Sequence, residues 1–201
     1  MPEKLTALEV DTQTDPSVAK QYDDETPKHE QINDFFKIVD KLKVGLLITQ
    51  RSSVGPVARS MAIARRDNAK FLYIANAHSK KFEDLKNSDT VGITFQDSSS
   101  QNWVSITGTA KVSNSDPRIK EVYTPFLSAW FGDLGDGKHT GKYDDPRMTL
   151  IEVTPSYVVY WKSTSTALGF AKEVTLGAMT GQVANTGLLR ELTAEDLKQA
   201  L

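Results

Sequence analysis

Arg59, Ser79, Lys80 and Lys81 are the residues of this 201-residue chain whose types and spacing could do chemistry, and that chemistry is anion binding. The stretch ANAHSKK, residues 75–81, follows the apolar run FLYI at 71–74 and leads into what reads as a short helix, KKFEDLKN at 80–87. A helix dipole favours acids in its first turn, so two lysines there are mildly unfavourable unless an anion sits beside them. Ser79 can cap that helix and also donate to a phosphate. Arg59 lies within a strand, on the same parity as Met61 and Ile63, with the small residues Ser60, Ala62 and Ala64 on the other face. A guanidinium among apolar neighbours needs an anionic partner, because burying it unpaired is costly. An internal carboxylate would serve as well as a ligand, so Arg59 alone leaves both readings open. The segment 57–81 carries Arg59, Arg65, Arg66, Lys70, Lys80 and Lys81 against one acid, Asp67, in a chain of net charge −2. Arg65, Arg66 and Lys70 flank a turn and read as a solvated tip. Taken together, Arg59, Lys80 and Lys81 read as a phosphate site.

Other chemistries find less support. The chain has no cysteine, which removes disulfides, thiolate metal sites and Cys nucleophiles, and suits a reducing interior. His29, His78 and His139 lack metal-ligand spacing, so no metal site is expected, and His78 reads as a turn residue. Gly132, Gly137 and Lys138 nearly fit a P-loop, but His139 stands where a Ser or Thr must hold magnesium, and Asp133 and Asp136 would repel phosphates. No nucleophile elbow or Ser-His-Asp pattern stands out. A net charge of −2 argues against nucleic acid or an anionic membrane as partner. No apolar run approaches the ~20 residues of a membrane helix, and the cytoplasm is the expected compartment.

The elements that must position these residues follow from periodicity. Residues 1–28 are polar and acidic and read as an arm, with residues 29–201 as one domain. Ile32, Phe35, Phe36, Val39 and Leu42 share one face of a helix. Strands are expected at 44–49, 57–65, 70–77, 90–97 and 102–113, then at 148–155 and 157–162 with a Pro-Ser corner between them. The strands 57–65 and 70–77 read as a hairpin across residues 66–69. Pro125 divides a helical stretch after Pro117, a Gly- and Asp-rich loop spans 132–146, a small-residue helix starts near 163, and a helix capped by Thr193 runs over 193–201. Consecutive short strands with helices set between later pairs predict a mainly β fold, a six-stranded antiparallel barrel with peripheral helices. Trp103, Trp130 and Trp161 read as core residues, with Trp130 the best candidate for a site because SAWFG leads into the loop.

The order RSMAI, LYIANAHSKK and WVSITGTA resembles the FMN-binding split barrel of the pyridoxamine 5′-phosphate oxidase-like superfamily. The later stretches AWFG, DDPRMTLIEVTP and VVYW resemble its general-stress-protein branch and the fungal blue-light-inducible proteins. The resemblance runs from about His29 to Lys162 and implies a flavin at the interface of a homodimer. It implies that Arg59, Ser79, Lys80 and Lys81 hold the FMN phosphate. Ser60, Met61 and Ala62, with Ala75 and Asn76 on the next strand, would meet the ring edge. Trp130 and Phe131 would form a partner-side wall, and FAD is the alternative cofactor. Departures from the true oxidases are also evident. Ala64 stands where those enzymes have a substrate-binding Lys, Glu121 and Pro125 where they have Arg and Ser, and Trp103 in place of Gln; the Arg-x-His pattern after Trp161 is missing. The resemblance therefore implies an FMN-dependent oxidoreductase of unknown substrate, with a non-catalytic flavin-binding or signalling module as the alternative and pyridoxamine phosphate oxidation third.

Overall fold

Strand alternation and helical periodicity lay out the elements in chain order, and the computed structural model describes residues 4–6, 8–13, 15–198 and 200. Among them eight strands run as β1 Val44–Arg51, β2 Gly55–Ala62, β3 Arg65–Asp67, β4 Lys70–Asn76, β5 Thr90–Gln96, β6 Trp103–Ser113, β7 Met148–Ser163 and β8 Gly187–Thr193. The helices are α1 Pro16–Gln21, α2 Lys28–Leu42, α3 Lys81–Asn87, α4 Arg118–Val122, α5 Pro125–Phe131, α6 Ala167–Thr180 and α7 Ala194–Lys198. The strands form one sheet in the order β2-β1-β5-β6-β7-β4-β3, with β8 on β7. Ile63 and Ala64 alone separate β2 from β3, the two ends of that order. Three Cα steps of ~3.8 Å span at most ~11 Å. Six strand spacings of ~4.8 Å would put the edges of a flat sheet ~29 Å apart. The edge strands β2 and β3, both within residues 44–92, therefore lie close together, as the two edges of a flat sheet could not.

The mainly antiparallel, helix-flanked fold expected from the sequence stands, with three changes. The predicted 57–65/70–77 hairpin is divided: residues 55–62 pair with β1, and only Arg65–Asp67 pairs with β4. The chain changes partners at Ile63–Ala64, where the Ala64 N–H already bonds the Leu72 carbonyl at 2.8 Å. The expected corner at Pro155 does not break the strand, because β7 continues from Met148 to Ser163. Finally, β8 adds a strand that the sequence reading assigned to no element, pairing Tyr157–Ser163 with Gly187–Thr193. The seven strand segments read from the sequence, expected as a six-stranded barrel, become eight strands among the described residues: one segment divides, two merge and β8 is added.

The described residues fall into two compact units, one within 1–43, 93–106 and 156–200, the other within 44–92 and 107–155. In the first, α2 buries Ile32, Phe35, Ile38 and Val39, and the Phe35 ring lies 6.3 Å from that of Tyr160, whose hydroxyl donates to the Gln31 carbonyl. Arg190 of β8, only 3% exposed, is held by Asp23 and Asp34 at 2.7 and 2.8 Å. Residues 22 and 23 of the predicted arm thus bond to β8, Tyr22 through a bridge to Leu189. Thr193 and Asp196 exchange the reciprocal bonds of a capping box at α7, while residues 199 and 201 of the predicted terminal helix lie outside the described residues. In the second unit Leu72, Ile74, Ile119, Val122, Phe131, Met148 and Leu150 form one apolar cluster. This second unit carries every residue of the candidate site.

Candidate functional site

β2 is one-sided, as its alternation requires. Arg59 and Met61 are half-buried, whereas Ser60 and Ala62 are exposed. Register places Ser60 opposite Leu46 and Ala62 opposite Val44. Val44 and Leu46 are themselves 53% and 44% exposed, so small side chains and an uncovered apolar strip lie together on the outer face of β1 and β2.

Arg59 finds an internal carboxylate, the partner its sequence context left open. Its Nη2 donates to Asp84 Oδ2 at 3.0 Å and its Nη1 to Thr49 Oγ1 at 2.6 Å. Arg51 donates to both Asp84 oxygens, at 3.1 and 3.3 Å, and the Thr49 hydroxyl adds a bond of 2.7 Å. Burial pushes the Asp84 carboxyl up, but the bonds from Arg51, Thr49 and Arg59 outweigh it and hold the group at about 2.

One carboxylate does not balance the cations gathered there. Lys81 is only 8% exposed, and its Nζ donates to Ser79 Oγ at 2.8 Å. Among the described residues no carboxylate pairs with it. Burial first, and the Arg59 charge second, lowers the Lys81 pKa below its ordinary value. Arg51 and Arg59 share the one carboxylate of Asp84, and Lys81, close enough to feel the Arg59 charge, adds a third cation, an excess of two positive charges over that carboxylate. A phosphate monoester carries about −1.5 to −2 at neutral pH and matches that excess.

The turn from β4 into α3 brings Lys81 to this place. Asn76 Oδ1 accepts from the His78 N–H, and the Asn76 carbonyl accepts from the Ser79 N–H. These bonds reverse the chain within three residues. Ser79 is not the helix cap expected from the sequence: Lys80 occupies that position without a side-chain bond, and the Ser79 hydroxyl is turned to Lys81. Lys80 is exposed, and Ala75 is buried opposite Thr149.

Trp130 and Phe131 point in different directions. Trp130 is 84% exposed, but Phe131 sits in the apolar cluster with Leu72 and Leu150. Arg147, paired with Asp145 at 2.7 Å, fixes the end of α5 by donating to the Phe131 and Gly132 carbonyls. Of the two aromatics only Trp130 is free to face a ligand or partner. The Gly-rich stretch rejected as a P-loop is a loop: Asp133 and Asp136 accept from the backbone N–H groups of Gly135, Lys138 and His139.

Arg51 and Asp84 escaped the sequence reading. Their signals were spacings: Arg51 follows Thr49 by two on a strand, and Asp84 follows Lys81 by three on a helix.

Comparison with known proteins gives this chain relatives. A family model described as "Pyridoxamine 5'-phosphate oxidase like" matches residues 30–185. Protein bli-3 of Neurospora crassa is 33% identical over 187 residues, covering 92% of this chain and 90% of the relative. Among solved structures, a putative general stress protein 26 from a Jannaschia species superposes with a TM-score of 0.61 at 17% identity, over 82% of this chain and 99% of that one. A pyridoxamine 5'-phosphate oxidase-related, FMN binding protein from Nostoc punctiforme superposes with a TM-score of 0.53 at 13% identity, over 68% of this chain and 85% of that one. These structures share the split-barrel fold.

Proposed function

Because the chain belongs to the pyridoxamine 5'-phosphate oxidase like family, we propose that it binds FMN and acts as a flavin-dependent oxidoreductase. The observation that carries this reading is Lys81, a buried cation that pairs with no carboxylate among the described residues and feels the charge of a neighbouring guanidinium. Its desolvation is compensated when an anion enters. Arg59, Lys81 and Ser79 would hold the phosphate, with Lys80 at the solvent side. The backbone of β2 at Ser60, Met61 and Ala62 would meet the flat ring, since small outward side chains let it approach. Ala75 can contribute only backbone there, and Asn76 acts through the turn it closes. When bound, the flavin supplies hydride and electron transfer, and the protein supplies binding and orientation.

The uncovered strip at Val44 and Leu46 supports a homodimer, in which Trp130 of one protomer would close the site of its partner. The second reading, flavin binding without turnover, is favoured by the absence of an acid or base at positions 60–62. Pyridoxamine phosphate oxidation is disfavoured because Ala64 packs against the apolar cluster instead of presenting a cation. Titration of the purified protein with FMN and riboflavin tests the cofactor. FMN should bind at least ~100-fold more tightly, the worth of about two charge-assisted hydrogen bonds, and equal affinities would overturn the phosphate site. NAD(P)H turnover by the flavin-loaded protein separates oxidoreductase from binding module.

A further inference from the structure

We infer that Arg51 is a third cation of the anion site, tethered there by Asp84, and that it contacts a terminal oxygen of the bound phosphate monoester. The inference rests on the phosphate reading above and adds a residue to it.

Arg51 closes β1, just before the turn at residues 52–54, where a side chain is free to extend into solvent. It does not do so. Its Nε and Nη2 engage Asp84, and its side chain is 30% exposed. Arg59 and Thr49 donate to Asp84 Oδ2, and Arg51 Nε supplies the bond to Oδ1, so the carboxylate is fully engaged and fixes the plane of the Arg51 fork. A single carboxylate sharing two guanidiniums satisfies neither fully. Each fork offers five N–H groups, of which Arg51 spends Nε and Nη2 and Arg59 spends Nη1 and Nη2 on the bonds above. Three N–H groups on each remain without a partner among the described residues. Asp84 also holds both guanidiniums in the folded protein before any ligand arrives, which lowers the ordering cost of binding. A planar fork held in place suits the terminal oxygens of a monoester, which offers three of them.

The test is a double-mutant cycle with FMN and riboflavin as probes, on native protein, Arg51→Met, Asp84→Asn and the double variant, with melting temperatures recorded for each. Arg51→Met should weaken FMN about 10-fold and leave riboflavin unchanged. In the Asp84→Asn background the same substitution should weaken FMN less than about 3-fold, because the untethered guanidinium no longer contributes fully. Arg51→Lys, which keeps a charge but not the fork, should fall between native and Arg51→Met. An unchanged FMN affinity in Arg51→Met, or equal losses for FMN and riboflavin, would overturn the assignment of Arg51. An undiminished loss in the Asp84→Asn background would overturn the tether. A native protein that does not prefer FMN to riboflavin would instead sink the phosphate reading itself.

Discussion

At the scale of single residues, the site is a problem of charge balance in a place with little water. Lys81 has burial and Arg59 both working against its proton, and both lower its pKa. A lysine with a lowered pKa holds phosphate while charged and releases it as pH rises through that value. FMN affinity, measured relative to riboflavin, should therefore begin to fall below the pH expected of an ordinary lysine. Lys81→Arg, charged throughout, should abolish that fall, and persistence of the fall in the variant would contradict the assignment. Asp84 works in the opposite sense. Its pKa is depressed to about 2, so its stabilising bonds are intact above the ordinary carboxylate range and are lost as pH falls toward 2. Residue type made Arg59 and Lys81 legible in sequence, because a cation inside a strand and a cation opening a helix are both locally unfavourable. Arg51 was not legible in that way: at a strand end followed by Ser52 and Ser53 it breaks no local rule. Its role depends on Asp84, 33 positions away.

At the scale of elements, close backbone approach is the constraint that periodicity does not report. Gly108 of β6 is buried, and a Cβ there would lie 2.4 Å from the Thr154 carbonyl oxygen and 3.0 Å from its carbon. Both neighbours are backbone and cannot swing aside. Gly108→Ala should cost roughly 1–3 kcal/mol, as overpacking does, whereas Thr109→Ala on the exposed face should cost little; equal melting temperatures for the two variants would show that β6 and β7 have room to shift. The strands β1, β4 and β5 were readable because alternation or continuous burial marks them. β8 was missed because GLLRELT places Arg190 and Glu191 side by side in a strand, and both are buried. Charged residues in a strand read as solvent-facing until Asp23 and Asp34 supply the counter-charge for Arg190. The divided hairpin was missed for another reason: a chain leaving one end of the sheet for the other makes no local signal at Ile63–Ala64.

At the scale of the whole molecule, a chain of net charge −2 concentrates cations in one place and leaves apolar surface in another. The first suits a small anionic cofactor, and the second suits a copy of the same chain. Leu46→Glu should convert a dimer to monomer in sedimentation, through like charges across a two-fold contact, and should weaken flavin binding if Trp130 of the partner closes the site. A native protein that sediments as a monomer and still binds FMN tightly would contradict the dimer. Removing residues 1–25 takes away Asp23 and leaves Asp34 as the one carboxylate that pairs with Arg190 among the described residues, beside the hydroxyls of Thr26 and Tyr160. That truncation should lower the melting temperature yet leave FMN affinity unchanged, because no site residue lies in the removed segment. The family order was legible from motif spacing over most of the chain, since strand, turn and helix each left a local pattern. The reaction was not, because positions 60–62 of β2 hold no acid or base that would mark it.

Flavin titration of Lys81→Met measures the phosphate site most directly. Removing one charge-assisted contact of roughly 1.5–3 kcal/mol should weaken FMN by about 10- to 100-fold. Riboflavin, which lacks the phosphate, should bind native protein and variant alike. An unchanged FMN affinity, or an equal loss for both flavins, would mean that the buried ammonium serves the fold and that the phosphate lies elsewhere.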